Sequence, residues 1–287
     1  MNRELITYLK GKAELVRAII GDKYGVIGLS ILAVITALAI AAPILPLHDP
    51  YSLDYPRFLS PSLEHPFGTD HLGRDVFSRV IWGARTSLMV GFIAAGISAM
   101  VGTLIGSIAG YYGGLIDDVL SRLTDIFLMI PAFFLMLFIV AIYGGNIFYV
   151  MAVIGLLTWP SNARIMRAQV LSIREREYVQ AAVLIGESNL RILFKHVIPN
   201  AIHPIIANTV LQAASAIILE AGLSYLGLGD PNAISWGKMI YEGQTYITIY
   251  WWISFFPGLA IALTVLALNL IGDTLSRVLN PRSGGYT

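Results

Sequence analysis

The sequence has no cysteine and few charged residues. Because none of its 287 residues is a cysteine, disulfide bonds and thiolate metal sites are excluded. Only 13% of the residues are charged, whereas a soluble domain carries about 25%. The net charge of +1 gives no reason to expect nucleic-acid binding. The composition therefore indicates a membrane protein.

Two kinds of enzyme chemistry are also missing from the sequence. A phosphate-binding loop requires the motif G-x-x-x-x-G-K-[S/T], but the chain's Gly-Lys pairs are followed by Ala13 and Met239. The chain therefore cannot use ATP by that route on its own. No set of nucleophile, base and orienting residue stands out either, so the sequence offers no support for a membrane-embedded enzyme.

Six apolar segments approach or reach the ~20 residues that a helix needs to cross the hydrocarbon of a bilayer. They are 24–47, 86–109, 115–143, 147–170, 202–228 and 250–271. The sequence therefore predicts an all-α polytopic membrane protein with six transmembrane helices. The first segment is longer than the core of a secretory signal, which favours an uncleaved span. The other parts are an N-terminal segment at 1–23, a loop at 48–85, a polar loop at 172–200 within the five-helix region 86–280, and a tail at 281–287.

The positions of the basic residues predict the orientation, because Lys and Arg favour the cytoplasmic side. With the N-terminus in the cytoplasm, only a few of the 19 Lys and Arg residues lie on the extracytoplasmic side. These are Arg57, Arg74, Arg79, Arg85 and Lys238. Both termini and the 172–200 loop are therefore expected to face the cytoplasm, and the 48–85 loop is expected to face outward.

Small residues recur at every fourth position in the second apolar segment, at Ser98, Gly102, Gly106 and Gly110. This spacing puts them on one face of a helix, where they let two helix backbones approach closely in lipid. A tight contact within the chain is expected there, in preference to a pore lining.

Two acidic residues inside the apolar segments need partners. Asp125 lies three residues after Arg122, so these two side chains can pair on one helix face. Glu220 has no basic residue within a helical turn. It is either a gate residue or a packing residue that bonds to a neighbouring helix or to the turn GLSYLGLG.

The stretch HPFGTDHLGRDVFSRV in the first loop contains four residues of metal-ligand type, His65, Asp70, His71 and Asp75. Their spacing fits no recurrent ligand motif. Polar residues with Gly and Pro are ordinary in an exposed loop. We therefore predict no metal site.

The polar loop contains the stretch YVQAAVLIGESNLRILFKHVIPN, which predicts two short amphipathic helices. Gly186 can end the first helix in the left-handed conformation, Ser188 can cap the second, and Pro199 can end it. The predicted apolar faces are Tyr178, Ala181, Ala182 and Ile185, then Leu190, Leu193, Phe194 and Val197. A helix lying on the lipid surface is the alternative, but the small, flat face at Ala181 and Ala182 favours contact with another protein.

This loop carries a family resemblance. QAAVLIG, with Pro199 thirteen residues after Gly186, resembles the cytoplasmic EAA loop of ABC importer permeases, whose pattern is E-A-A-x3-G with a hydrophobic-Pro ending. Gln180 stands where that family usually has Glu. Other stretches are similar to one branch of the family, the DppC/OppC-like subunits of dipeptide and oligopeptide importers. They are HPFGTDHLGRDVFSRVIWGARTSL, GYYGGLIDDVLSRLTD, SYLGLGDPNAISWGKMI and WWISFFPGLAIALTVLALNLIGDTLSRVLNPR.

The resemblance implies a type I ABC importer permease fold in the plasma (inner) membrane of a bacterium or archaeon, with the EAA loop as its coupling helix. It implies a second homologous permease, two ATP-binding subunits and an extracytoplasmic substrate-binding protein as partners. ATP and magnesium would be bound by the partner ATPases, and this chain would hold no cofactor. The expected ATPase-contacting residues are Tyr178, Gln180, Ala181, Ala182, Gly186, Glu187, Leu190 and Phe194.

Alternatives remain for the cargo and for the energy source. Di- and oligopeptides are the expected cargo, but similar permeases carry oligosaccharides or nickel. A secondary transporter driven by an ion gradient would need broken helices and acidic ion sites near the middle of the membrane. Asp125, Glu220 and the prolines at 131, 160 and 257 are the candidates for those features.

Overall fold

The computed structural model describes residues 21–279, and within this range the chain consists of helices and loops without a β-strand. The long helices are α1 (Lys23–Ala41), α2 (Val76–Tyr112), α3 (Gly114–Met129), α4 (Ala132–Tyr143) and α5 (Ile147–Arg174). Two short helices follow, α6 (Glu177–Leu184) and α7, which runs as Asn189–Ile192, a π-helical turn Leu193–Val197, and Ile198–Ala201. The last three are α8 (His203–Leu223, extended by a π-helical turn Ser224–Leu228), α9 (Trp236–Gly243) and α10 (Trp252–Leu279).

Several of these helices are long and apolar enough to cross a membrane. Helices α1, α2, α8 with its π-helical turn, and α10 meet this criterion, and the bent pair α3–α4 makes a fifth span if it is counted as one. Helix α5 is 28 residues long, but it is not among the helices that are apolar enough to cross a membrane by composition. Its second half carries Arg164, Arg167 and Arg174.

The helix ends differ from the predicted segment ends. Helix α2 begins at Val76, ten residues before the predicted start, so residues 76–85 of the predicted loop are helical. Its N-cap is Asp75, whose side chain accepts a hydrogen bond from the Ser78 backbone N–H at 2.7 Å. Helix α1 ends at Ala41 instead of position 47, and α10 continues to Leu279 instead of position 271.

The third predicted segment, 115–143, is two helices with a bend of 80° between them. The break falls at Ile130 and Pro131, and Ile130 is extended with φ −82° and ψ 125°. Proline restricts the residue before it to extended conformations and cannot donate a backbone hydrogen bond, which ends a helix at this position.

The small-residue stripe on α2 packs against α5, which confirms the predicted contact. A Cβ atom on Gly110 would lie 2.8 Å from the carbonyl oxygen of Arg167, and Cβ atoms on Gly102 and Gly106 would come still closer to α5. The absence of side chains at these positions therefore sets the distance between the two helices.

Residues 42–75 fold over the beginning of α10. The Trp252 indole N–H donates to the carbonyl oxygen of Thr69 at 3.1 Å. The Phe67 ring stacks on Phe256 at a centroid distance of 3.8 Å, and Phe58 stacks on Tyr250 at 4.0 Å. This segment is thus an ordered cap on the helix bundle, held by aromatic contacts.

Candidate functional site

The polar loop forms the helix–turn–helix that its sequence predicts. Gly186 adopts φ +81°, and the turn is closed by hydrogen bonds from Gly186 N–H to the Val183 carbonyl (3.0 Å) and from Glu187 N–H to the Ala182 carbonyl (3.1 Å). This is the glycine-ended helix terminus that was predicted at Gly186.

Two details of the predicted second helix are wrong. Ser188 occupies the N-cap position of α7, but its hydroxyl makes no capping hydrogen bond. Pro199 does not end the helix, which continues to Ala201. The π-helical turn Leu193–Val197 precedes the proline, and the segment Ile198–Ala201 begins after it. Pro199 therefore lies in the first turn of this last segment of α7, where its missing N–H needs no partner.

The faces of α6 also differ from the predicted ones. Val179 and Ala182 point into the protein, with Ala182 only 6% exposed, whereas Ile185 is 81% exposed. Ala182 therefore packs inside and is not an accessible contact residue. The exposed members of the predicted contact set are Tyr178, Gln180, Ala181, Gly186, Leu190 and Phe194. Val183 and Leu184 are exposed as well and were not predicted.

The buried faces of α6 and α7 join these helices to α5. Val179, Ala182, Ile192, Leu193 and Val197 form one apolar cluster with Met166, Val170 and Ile173 of α5. The Gln180 amide donates to the carbonyl oxygen of Arg174 at 2.9 Å, which ties α6 to the end of α5. The helical pair is therefore packed directly on α5.

Glu187 bonds within the loop. Its carboxylate accepts a hydrogen bond from His196 Nε2 at 2.8 Å and pairs with Arg191 Nε at 3.1 Å. Its side chain is only 14% exposed. Glu187 therefore links the turn to α7 and presents little surface to a partner.

Glu220 is a buried bridge between helices, with 2% of its surface exposed. Its Oε1 accepts hydrogen bonds from Ser224 Oγ (2.7 Å) and Ser235 Oγ (2.8 Å). Ser235 is the N-cap of α9 and also accepts from the Lys238 N–H. The geometry thus matches the packing role for Glu220, because it fixes α9 on the end of α8.

The acidic residues of α3 pair with α5. Asp125 accepts from Arg164 Nη2 at 2.7 Å, so the predicted pairing of Asp125 with Arg122 is wrong. Asp117 accepts two hydrogen bonds from Arg167, of which the one from Nη2 is 2.6 Å long. These pairs connect α3 to the second half of α5.

The residues of metal-ligand type in the 42–75 segment serve different contacts. His65 Nδ1 lies 2.9 Å from Asp75 Oδ1, and His48 joins them to form a group whose ligand atoms lie within 4.8 Å of one another. Asp75 caps α2 with its other oxygen, and His48 Nδ1 bonds to the Tyr55 hydroxyl at 2.8 Å. Protein hydrogen bonds therefore account for this cluster.

An ion network that the sequence analysis missed connects the same segment to α9. Glu242 accepts hydrogen bonds from Arg74 Nη2 (2.7 Å) and Arg79 Nη2 (2.8 Å), and Arg74 also pairs with Asp70 at 2.6 Å. Glu242 lies 163 positions from Arg79 in the chain, so no local pattern could have shown that these residues meet.

A second missed feature is a polar network among α2, α5 and α8. The Asn162 amide, fully buried, donates to Gln212 Oε1 (2.7 Å) and Ser98 Oγ (3.2 Å). Gln212 donates to the carbonyl oxygen of Thr158 (3.2 Å), and Asn208 Nδ2 donates to Asn162 Oδ1 (2.8 Å). Uncharged polar groups thus join three helices at the centre of the bundle.

The long apolar helices and the short helical pair anchored to them define an all-helical integral membrane protein. Residues 102–284 match the family described as "Binding-protein-dependent transport system inner membrane component". The chain belongs to this family of ABC importer permeases, which confirms the resemblance found in its EAA-like loop.

Two peptide permeases are similar to this chain over 91% of its length. The dipeptide transport system permease protein DppC of Alkalihalophilus pseudofirmus is 40% identical over 264 residues, 91% of this chain and 86% of that protein. The oligopeptide transport system permease protein OppC of Bacillus subtilis is 38% identical over 268 residues, with the same two coverages of 91% and 86%.

A solved structure shares the fold. One chain of the MetNI methionine ABC transporter, crystallised in an inward-facing conformation, superposes with a TM-score of 0.56 at 17% sequence identity. The match covers 70% of this chain and 96% of that chain. The two chains therefore share a fold.

Proposed function

We propose that this chain is one of two permease subunits of an ATP-driven peptide importer in a bacterial or archaeal plasma membrane. A second, related permease completes the path, two ATPase subunits hold ATP and magnesium, and an extracytoplasmic binding protein delivers the peptide. The observation that carries this proposal is the similarity to peptide permeases over 91% of the chain. This subunit moves its substrate and catalyses no reaction.

The proposal includes six spans, with α3–α4 as one bent span and α5 as another. Helix α5 is 28 residues long, about 42 Å at 1.5 Å per residue, which exceeds the ~30 Å hydrocarbon thickness. Its close contact with the glycine stripe of α2 supports a position beside that helix. Its basic half and the α6–α7 pair then lie on the cytoplasmic side, as the positions of Lys and Arg favour.

The exposed apolar surface of α6 and α7 supports contact with an ATPase. Four large side chains on it are more than half exposed, at 87%, 81%, 61% and 55%. They are Leu184, Ile185, Leu190 and Phe194. An exposed apolar patch of this kind beside charged residues is typical of a protein interface. Closure of the ATPase pair would move α6 and α7, and through their buried contacts α5, between inward-open and outward-open states.

Co-purification tests the ATPase contact. Replacing Leu190 and Phe194 together by Ala should lower the amount of ATPase that co-purifies with the permease pair at least tenfold, because two large interface side chains are lost. The matched control is Phe92→Ala, which removes an exposed aromatic ring from α2 and should leave the complex intact. Equal ATPase recovery from both variants would contradict the proposed contact.

Reconstitution tests the transport function. Proteoliposomes that contain both permeases, both ATPases and the binding protein should take up a labelled dipeptide only with ATP. The lone chain should show neither ATP hydrolysis nor uptake. Uptake by the lone chain on an ion gradient would identify a secondary transporter, and uptake of oligosaccharide or nickel in place of peptide would identify the other cargo.

A further inference from the structure

Within residues 21–279, the polar network leaves the side-chain oxygen of Asn208 without a hydrogen-bond donor. Asn208 donates through Nδ2 to Asn162 Oδ1, so a rotated Asn208 amide would place two carbonyl oxygens against each other. Its orientation is therefore fixed. Asn208 Oδ1 accepts no hydrogen bond from residues 21–279. Unlike the unpartnered polar atoms that are buried in this range, it retains some exposed surface. It is thus an accessible carbonyl oxygen held in a set direction.

Two cavities meet at this residue. One, of about 430 Å³, extends from Arg176 and His203 at the α6 end of the bundle. The other, of about 360 Å³, extends from Asn208 past Ser161 to Ser215. Asn208 and Leu211 line both cavities, so the two form one continuous surface along α5 and α8.

The chemistry of this surface limits what it can contact. Polar side chains inside a membrane protein face the bundle or a water-filled cavity, because exposure to lipid is costly. Ser161, Gln169, Asn208 and Ser215 all lie on this surface. No carboxylate lines either cavity in the described part of the chain, and His203 is the one imidazole. Such a lining offers too few ligands for nickel and suits a polar, amide-containing cargo.

We infer that this surface is the chain's share of the transport path and that Asn208 Oδ1 accepts a hydrogen bond from an N–H group of the passing peptide. The inference rests on the proposed function, since it assigns a residue to the path of that function. A backbone N–H occurs in peptides of every sequence. An acceptor for the backbone N–H therefore recognises a feature that all peptides share. The network of Asn162, Gln212 and Ser98 positions Asn208 for this contact.

Transport by the complete reconstituted complex tests the inference. Asn208→Ala should lower peptide uptake per ATP hydrolysed about five- to tenfold, the loss expected for one hydrogen bond. A dipeptide methylated at its amide nitrogen should show a similar loss with the wild-type complex and no further loss with Asn208→Ala. Thr209→Ala is the matched control, because its hydroxyl bonds to the Ile205 carbonyl and it lines neither cavity.

Thiol labelling gives a second readout that does not depend on transport. The chain has no native cysteine, so Asn208→Cys introduces its only thiol. In a complex whose other subunits lack cysteine, a charged methanethiosulfonate reagent should modify this variant, and peptide with binding protein should slow the reaction. Thr209→Cys should react at least tenfold more slowly. Resistance of Asn208→Cys to the reagent would overturn the assignment of this surface to the path.

The outcomes separate the inference from the function on which it rests. If the wild-type complex takes up no peptide, the proposed function fails. If the wild type transports peptide and Asn208→Ala does so with unchanged coupling to ATP, the proposed function stands and the role of Asn208 is refuted.

Discussion

Replacing Gly186 perturbs the turn between α6 and α7 with little effect on packing. Gly186 has φ +81°, and a Cβ atom placed on it would meet no atom within 4 Å. The free-energy cost of adding a side chain therefore comes from the backbone conformation alone, and it is about 1 to 2 kcal/mol for Ala in the left-handed region. A β-branched Val is strained further, to about 3 kcal/mol. Since 1.4 kcal/mol is a factor of ten in an equilibrium, Val should depopulate this turn more than a hundredfold relative to competing turns.

The consequence should be confined to α6, α7 and the turn between them. Val179, Ala182 and Val197 lie in the cluster that holds the pair on α5, so a changed turn should displace the exposed ends of α6 and α7. Gly186→Val should therefore insert normally yet bind less ATPase or hydrolyse ATP without uptake, and Gly186→Ala should be milder. The assay measures bound ATPase, ATP turnover and peptide uptake on one purified complex.

Gly96→Ala is the matched control for Gly186. Gly96 also has open space around a new Cβ, but it lies within α2 and lacks a positive φ. This substitution should be neutral or slightly stabilising, because Ala favours the helix. Wild-type values of all three quantities for Gly186→Val would refute the role of this turn in coupling.

Three further predictions concern other parts of the molecule. Gly106→Ala should lower the melting temperature of the purified chain, because its Cβ would overlap the Ala163 carbonyl oxygen, at a cost of about 1 to 3 kcal/mol. Glu242→Gln should destabilise the 42–75 cap by about 1 to 3 kcal/mol, since two arginines lose a shared carboxylate and keep only Asp70, and proteolysis of the cap should report it. Burial lowers the pKa of His71 below its ordinary 6.5. The neutral form is therefore favoured in the fold, and stability present above pH 6.5 should decline as the pH falls further.

Each of these three predictions has a control variant or a result that would contradict it. Gly96→Ala serves again for Gly106→Ala, and equal melting temperatures would contradict the close α2–α5 contact. Glu64→Gln, a carboxylate of the same segment without an ion pair among the described residues, is the control for Glu242. His71→Gln should flatten the melting temperature between pH 6.5 and 5, and an unchanged pH profile would exclude His71 as the group responsible.

Local patterns predicted the features that depend on neighbouring residues. Gly186 ends α6 as expected, because a left-handed turn needs a residue without a Cβ. The stripe from Ser98 to Gly110 packs on α5 because small residues four apart share one helix face. The proline at 131 was a candidate for a broken helix, but the sequence does not give the angle of 80° between the two halves.

Other predictions failed where residues distant in the sequence determine which side chains are buried or paired. Helical spacing gave Ala182 and Ile185 one face, but the position of α5 buries Ala182 and leaves Ile185 exposed. Asp125 pairs with Arg164, 39 positions away, instead of Arg122 on its own helix. A guanidinium on a packed neighbouring helix can reach a carboxylate that its own helix does not satisfy.

The sequence by itself determined the class of protein, the apolar segments, the turn at Gly186 and the family, because composition and short spacings carry that information. Only the tertiary structure decided that Glu242 serves two arginines and that Asn162 fixes Asn208 between two cavities. These contacts join residues 46 to 168 positions apart. Their partners are chosen by how the helices pack, and the spacing of residues along the chain does not record that choice.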